Sequence, residues 1–194
     1  DGSLKIVDRL KNLVKLSGGE YVAIEAMERE YSNSPFISAL NGGILCYADG
    51  EMDRPVAVAQ VDILELRKWA RSSGIPFASD EGLCCMPVAV REVLRSLMSA
   101  HRRGGLAETE KLAAVALISG TGLSEGRPSC ESPWTIFNGG LTASGKLCRA
   151  VVQRGVYAPI FSALRAEGMR CTFGIASAAV GAVAKSGGLA TETP

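Results

Sequence analysis

Three short runs of apolar residues constrain the fold of this chain most strongly. They are 44–47 (ILCY), 55–61 (PVAVAQV) and 112–118 (LAAVALI). The first two are rich in β-branched residues and continuously apolar, which predicts strands of a sheet covered on at least one face. The third is also a strand candidate, although its periodicity alone allows a helix.

A first helix is predicted after the extended segment YVAI. Ile24, Met27 and Tyr31 recur at helical spacing, with acidic residues on the opposite side. The helix should end near Ser34-Pro35, because a residue that precedes proline disfavours helical geometry.

A second helix is predicted from Asp62 to about Ser72. Aspartate is a strong N-cap because its carboxylate accepts hydrogen bonds from the first free backbone N–H groups. The apolar residues Leu64, Leu66 and Trp69 are expected to face the core.

The second half of the chain alternates between polar loops and helices. Residues 73–87 are predicted to form a loop, and a helix should follow from Val88 to about His101. Residues 119–145 form a second, unusually long loop, a feature typical of functional or mobile segments. A last helix is predicted over 148–165, with a kink or break at Pro159.

These elements predict an α+β fold: a small mixed or antiparallel sheet flanked by helices, preceded by a β-hairpin. The chain has 194 residues, of which 47% are hydrophobic, enough for one domain with a real core. Twenty-one Lys and Arg residues oppose 20 acidic residues, so the charge gives no reason to expect nucleic acid as a partner.

Cysteine and histidine usage argues against a metal site. Six cysteines occur without a CxxC pair, and His101 is the only histidine. The cysteines are therefore expected to be free thiols in a reducing compartment. The pair Cys84-Cys85 is interpreted as packing in a loop or helix start, and His101 as a solvated helix end.

Neither end of the chain resembles a targeting or membrane segment. Charges interrupt the first ten residues, DGSLKIVDRL, and the apolar run at 173–184 is shorter than the roughly 20 residues that span a bilayer. The chain is expected to be soluble and intracellular, either cytoplasmic or peripheral on an organelle membrane.

The first segment whose residues suit ligand binding or catalysis is 5–25, KIVDRLKNLVKLSGGEYVAIE. Two short strands, 3–7 and 13–17, are predicted around its charged turn, followed by a Gly18-Gly19 turn that permits close backbone approach to a ligand. An Arg beside an Asp suits hydrogen bonding to a sugar or phosphate. On residue types alone, a solvated charged hairpin is the favoured explanation, since charge runs usually form solvated surfaces.

The second such segment is 139–149, GGLTASGKLCR. A lysine in a small-residue loop just before a helix can bring a point charge to a phosphate. The segment is not a phosphate-binding P-loop, because Lys146 is followed by Leu147 and not by Ser or Thr. Judged alone, Lys146 could equally be a solvated loop lysine.

Taken together, the two segments resemble a known family. The first resembles the linker-and-hairpin motif that opens the C-terminal domain of the adenylate-forming superfamily, which includes acyl-CoA synthetases, beetle luciferases and peptide-synthetase adenylation domains. Its sequence, DRLKNLVKLSGGEYVAIEAME, is most similar to that of the long-chain fatty acyl-CoA synthetases, whose pattern is close to DR-x-KNLVKL-x-x-GEYV-x-x-E. The second falls where the family's closing motif belongs. The resemblance covers roughly residues 1–165.

The resemblance implies the mobile C-terminal lid domain of such an enzyme, separated from its ATP- and acyl-binding body. It implies a hinge strand at 1–12, the lid at 13–168 and a poorly ordered tail at 169–194. The chain is thus expected to be a fragment, inactive alone, whose partner is the N-terminal adenylation domain of the same enzyme.

The resemblance also assigns roles to individual residues. Lys146 would be the catalytic lysine of adenylation and Lys11 the hinge. Asp8, Arg9 and Lys146 would bind ATP or AMP, with Arg9 at the ribose. CoA would be bound by a hairpin tip made of Ser17, Gly18, Gly19 and Glu20, with Lys15 as a further contributor. This chain departs from the family pattern at one position. Family members commonly carry a second basic residue soon after the position of Arg149, whereas Arg149 is followed by Ala150 here.

The implied activity is that of a long-chain fatty acid–CoA ligase, which converts fatty acid, ATP and CoA to acyl-CoA, AMP and pyrophosphate. Mg²⁺ would accompany ATP and be bound mainly by the N-terminal domain, and the full-length enzyme could associate peripherally with a membrane. Two alternatives stay open: another adenylate-forming ligase, acting on an aryl or medium-chain acid, and a non-catalytic interaction module whose apolar surface would be the 173–184 run.

Overall fold

The computed structural model describes residues 13–39, 43–121, 133–154 and 158–169. Within these ranges the α+β prediction is confirmed, with strands and helices in short alternating units. In chain order the elements are β1 (Leu13–Lys15), β2 (Tyr21–Ala23), α1 (Ile24–Tyr31), β3 (Ile44–Tyr47), β4 (Val56–Gln60), α2 (Ile63–Ser72), α3 (Asp80–Cys85), α4 (Pro87–Gly104), β5 (Ala114–Ile118), α5 (Arg149–Arg154) and α6 (Ala158–Met169).

The three apolar runs form one mixed sheet with the strand order β3-β4-β5. β3 is antiparallel to β4, and β5 is parallel to β4, so that Val58 lies opposite both Leu45 and Ala116. The run at 112–118 is therefore a strand and not a helix. Its parallel pairing requires a long crossover, which α2, α3 and α4 provide.

Helices cover both faces of this sheet. Ala57 and Ala59 of β4 face a core cluster shared with α1 to α4. Val56 and Val58 face a second cluster that includes Trp134 and residues of α5 and α6. Because side chains alternate between faces along a strand, two covered faces favour apolar residues at successive positions, and in β4 only Gln60 departs from this pattern.

A separate two-stranded hairpin lies at the beginning of the described chain. β1 and β2 are antiparallel, with Leu13 opposite Ala23, and β2 runs directly into α1. The hairpin therefore turns at Gly18-Gly19. The strand predicted at 3–7 lies outside the described residues.

Helix α2 begins and ends where the sequence predicts, but the prediction that Leu64 faces the core was wrong. The Asp62 carboxylate accepts hydrogen bonds from the backbone N–H groups of Leu64 and Glu65 at 3.1 and 3.2 Å. Leu66 is fully buried, whereas Leu64 is 68% exposed. At about 100° per residue, Leu64 points almost opposite to Leu66, so the helix cannot bury both. Trp69 is partly buried and packs edge-on against Phe36.

Residues 73–87 are not entirely a loop, because they contain α3. The Ser79 hydroxyl caps this helix by accepting the Gly82 N–H at 3.0 Å. Arg67 of α2 clamps Asp80 through two hydrogen bonds of 2.7 and 2.5 Å, which lower the pKa of Asp80. Ser-Asp-Glu is an N-terminal helix signal that the Gly and Pro content of the segment obscured. Cys84 is buried near the end of α3. The prediction that it packs in a loop or at a helix start was therefore wrong about its position.

Helix α4 ends at the Arg-Arg-Gly-Gly sequence as predicted, with Gly105 in the left-handed conformation. The prediction that His101 is solvated was wrong. Its side chain is buried, its Nε2 lies 2.9 Å from the Ala107 carbonyl, and its ring lies beside that of Tyr31. The chain turns back after Gly105 and covers the histidine.

The last predicted helix is observed as two, α5 and α6. Pro159 is the second residue of α6, a position in the first turn where proline is tolerated. No helix in the described part of the chain is long and apolar enough to cross a membrane. The tail predicted from 169 lies outside the described residues apart from Met169, the last residue of α6.

Two leucines on α2 provide a test of this packing. Leu66→Ala should lower the free energy of unfolding by about 2–5 kcal/mol because it removes buried methyl groups and leaves a cavity. Leu64→Ala should change it by less than about 0.5 kcal/mol because the side chain is exposed. Urea denaturation of both variants measures the difference. Equal losses would contradict the orientation of α2.

Candidate functional site

The residues predicted to bind CoA form the exposed tip of the β1–β2 hairpin. Backbone hydrogen bonds close the tip, from Leu16 N to Glu20 O at 2.8 Å and from Gly19 N to Leu16 O at 2.9 Å. Gly19 has φ +93°, a conformation that residues with a Cβ rarely adopt. Residues 17–20 and Lys15 are all exposed. Sequence and structure therefore place these five residues in or directly beside one exposed turn.

The turn between β3 and β4 supports this tip. Ser17 donates its N–H to the Met52 carbonyl at 3.0 Å and its hydroxyl to an Asp53 carboxylate oxygen at 2.6 Å. Met52 is fully buried, so the support is anchored in the core.

Arg165 of α6 fixes the same β3–β4 turn from the other side. It donates to Asp49 at 2.5 Å and also contacts the carboxylate of Glu51. Burial works to raise the pKa of Asp49, but hydrogen bonds from Arg165 and its neighbours outweigh burial and hold the pKa below its usual value. The turn that carries Ser17 is thus tied to α6 by charge.

Lys146 lies at the tip of a second small hairpin. Leu141 pairs with Leu147, the Thr142 N–H donates to the Lys146 carbonyl at 2.7 Å, and Gly145 turns the chain at φ +73°. The Lys146 side chain is exposed, and its ammonium makes no hydrogen bond or ion pair to another described residue. This end of the predicted 119–145 loop is therefore ordered locally, with a cation at its tip.

Arg149 connects the Lys146 hairpin to α1. It is the first residue of α5 and donates to both carboxylate oxygens of Glu28, at 2.8 and 2.5 Å. Glu28 also accepts the backbone N–H of Cys46 in β3 at 2.8 Å. Burial raises the pKa of Glu28 even though Arg149 lowers it.

A small cleft lies between β1, β3 and α5. Its volume is about 150 Å³, and its lining includes Val14, Cys46 and Arg149. Ligand sites for small molecules are typically about 300–1,000 Å³. This cleft is therefore too small to enclose a nucleotide.

The remaining predicted site residues are not covered by the described part of the chain. Asp8, Arg9 and Lys11 lie outside the described residues. Lys146 and the Gly18-Gly19 tip are on different hairpins, linked through Glu28 and the β2–α1 connection. Across the described ranges, no three His, Cys, Asp or Glu residues are grouped to hold a metal ion.

Two exposed apolar residues were missed by the sequence reasoning. Ile136 is 52% and Phe137 95% exposed, in a turn closed by the bond from Gly139 N to Ile136 O. The signal was available, since Ile-Phe followed by Asn-Gly-Gly places apolar side chains in a turn. The 173–184 run, the apolar surface of the interaction-module alternative, lies outside the described residues.

Comparisons with known proteins give this arrangement a context. No family model matches the chain. It is 34% identical over 148 residues to the peroxisomal long chain acyl-CoA synthetase 6 of Arabidopsis thaliana, covering 76% of this chain and 19% of that protein. It is 30% identical over 151 residues to a palmitoyl-CoA ligase of Gibberella moniliformis, covering 78% of this chain and 20% of that protein.

This chain is homologous to part of the long-chain acyl-CoA synthetases. It spans about a fifth of the length of these relatives. Among solved structures, the synthetase segment superposes with a TM-score of 0.62 on the A-PCP didomain of a carboxylic acid reductase from Segniliparus rugosus, in complex with AMP. The two are 26% identical, and the match covers 83% of this chain and 18% of that one.

The Gly18-Gly19 tip of the synthetase segment offers a stability test with a built-in control. Gly19→Ala should cost about 1–2 kcal/mol, because the left-handed conformation strains a residue with a Cβ. Gly18→Ala should cost less, because its new Cβ would meet only the Glu20 carboxylate, the end of a flexible exposed side chain. Urea denaturation gives both values. A larger loss for Gly18→Ala would contradict the observed turn.

Proposed function

We propose that this segment is the mobile C-terminal lid domain of a long-chain fatty acid–CoA ligase. The observation that carries the proposal is the match of about three quarters of the chain to long-chain acyl-CoA synthetases, in a segment that projects the two predicted loops into solvent. The whole enzyme would convert fatty acid and ATP to an acyl-adenylate and pyrophosphate, and CoA would then displace AMP.

Lys146 is the proposed catalytic residue of the first step. Negative charge shifts between the carboxylate and the α-phosphate as the acyl-adenylate forms, and a preorganised cation stabilises that change. The exposed Lys146 ammonium, without an ion-pair partner among the described residues, is available to meet a ligand on another domain. Asp8 and Arg9 would bind the nucleotide, with Arg9 at the ribose.

The hairpin tip of Ser17, Gly18, Gly19 and Glu20 is proposed to serve the second step. Two successive glycines allow a pantetheine chain to approach the backbone closely, and Lys15 would add positive charge beside it. A rotation about Lys11 would withdraw Lys146 and bring this tip to the adenylate. Hinges of this kind are a few residues at element ends that absorb the change in backbone torsion.

ATP, fatty acid and CoA are the proposed ligands, and the N-terminal adenylation domain is the proposed partner. The solved relative in complex with AMP supports adenine nucleotide use. Mg²⁺ would enter with ATP and be bound mainly by the N-terminal domain. Peripheral membrane association of the full-length enzyme is part of the same proposal.

Two other functions are tested alongside this one. The first is an adenylate-forming ligase that acts on an aryl or medium-chain acid and not on a long-chain fatty acid. The similarity to an adenylation domain from a carboxylic acid reductase is compatible with it. The exposed Ile136 and Phe137 would suit an interaction module. ATP–pyrophosphate exchange by the full-length protein, with palmitate, octanoate or benzoate, separates the three. Exchange that is fastest with palmitate supports the proposal; a preference for another acid favours the first alternative, and no exchange with any acid favours the second.

Lys146→Ala should damage one half-reaction selectively. Adenylation should slow about 100- to 1,000-fold, the typical cost of losing one preorganised electrostatic contact. Thioester formation from supplied acyl-adenylate should be spared, because Lys146 is withdrawn in that state. Single-turnover assays of the two steps measure this, with Lys68→Ala on the exposed face of α2 as a matched control. Equal losses in both steps would refute the two-state assignment.

Lys11→Pro should have the reverse effect. Proline fixes φ near −65°, so a hinge that must change its torsions would be held in one state. Adenylation should continue while thioester formation from supplied adenylate is lost. Retention of both half-reactions would show that the rotation does not depend on Lys11.

A further inference from the structure

We propose that Glu28 and Arg149 act together as positioning residues for the Lys146 hairpin, holding it at the angle needed for adenylation. The inference rests on the proposed function of Lys146, but the contact that it concerns is independent of any activity. Neither residue is proposed to touch substrate.

The ion pair is built for geometric control. Arg149 offers two N–H groups to the two oxygens of Glu28, at 2.8 and 2.5 Å. Paired N–H donors and carboxylate oxygens fix the relative orientation of the groups as well as their distance. The side chains of Arg149 and Glu28 are only 31% and 14% exposed, so solvent competes weakly for these bonds.

Glu28 is itself fixed to the sheet. One of its carboxylate oxygens accepts the Cys46 N–H at 2.8 Å in β3 as well as an Arg149 N–H. Cys46 is buried in the main core cluster. The carboxylate is thus a rigid point of attachment at the sheet and not a freely moving surface group.

The chain between Arg149 and Lys146 is short and tethered. Only Leu147 and Cys148 intervene; Leu147 pairs with Leu141, and the Cys148 N–H donates to the Gly140 carbonyl at 2.8 Å. A displacement of Arg149 would therefore displace Lys146 by a similar distance. A misplacement of a catalytic group by about 1 Å can cost about 100-fold in rate.

The chain offers a matched control in the Arg67–Asp80 pair. That pair is also bidentate, at 2.7 and 2.5 Å, with side-chain exposures of 35% and 9%. It joins α2 to α3 and lies on neither hairpin. A variant of Arg67 should therefore reproduce the loss of stability without moving Lys146.

The test compares Arg149→Gln, Arg149→Lys and Arg67→Gln in the full-length protein. The first measurement is amide hydrogen exchange of the peptide spanning 140–148, which contains the hydrogen-bonded N–H groups of the Lys146 hairpin. Exchange there should accelerate in Arg149→Gln and stay at the wild-type rate in Arg67→Gln. Unchanged exchange in Arg149→Gln would overturn the proposal.

The second measurement separates positioning from general damage. Arg149→Gln should slow adenylation by about 10- to 100-fold in kcat, leaving KM for ATP and thioester formation from supplied acyl-adenylate within about threefold of wild type. Arg149→Lys, which keeps the charge but not the paired donors, should fall between wild type and Arg149→Gln. Combining Glu28→Gln with Arg149→Gln should add little to the single loss, because the two side chains act as one unit. Equal slowing of both half-reactions would refute positioning.

The two measurements distinguish failure of this inference from failure of the proposed function. If the wild-type protein shows no acid-dependent adenylation, the proposed function is wrong. The amide hydrogen exchange data would still decide whether the ion pair holds the hairpin. Adenylation that is lost in Lys146→Ala but intact in Arg149→Gln would keep the proposed function and remove the inference.

Discussion

Burial of the β3-β4-β5 sheet on both faces is the constraint on which the rest of the structure depends. β4 contributes Ala57 and Ala59 to one core and Val56 and Val58 to the other. Removing this apolar surface from water is the main favourable term available to a domain of this size, at about 25 cal/mol per Å². The parallel β4–β5 pairing forces a long crossover, and the helices of that crossover cover one face. The segment after β5 supplies Trp134 and the helices that cover the other face.

Arginine–carboxylate pairs connect this core to the loops that carry the candidate chemistry. Arg165 holds the turn that supports Ser17, and Arg149 holds the base of the Lys146 hairpin. Partly buried ion pairs are weak evidence for stability, since desolvation offsets their attraction. We propose that their value here is orientation: Arg165 ties the β3–β4 turn to α6, and Arg149 ties the base of the Lys146 hairpin to Glu28 of α1. An isolated surface pair would not do so.

The exposed position of both loops is informative about function. Both hairpin tips are exposed, and the nearby cleft is too small for a nucleotide. A rigid body that presents two loops to solvent is suited to work against a second domain. The chain spans about a fifth of its relatives, so most of the length of those proteins lies outside the matched segment. Our proposal of alternating use of the two loops follows from this separation.

Most of the local elements, although not α3, and the family could be predicted from the sequence alone. Strand runs, the Asp62 cap and the Gly18-Gly19 turn depend on neighbouring residues, and so they were predicted closely. The tertiary structure alone decided which side chains are buried and which charges meet. Leu64 is exposed because α2 can present only one side to the sheet, and His101 is buried because the chain returns over it after Gly105. The Glu28–Arg149 pair joins residues far apart in the chain, and no local pattern specifies a contact made only when distant elements pack around a common core.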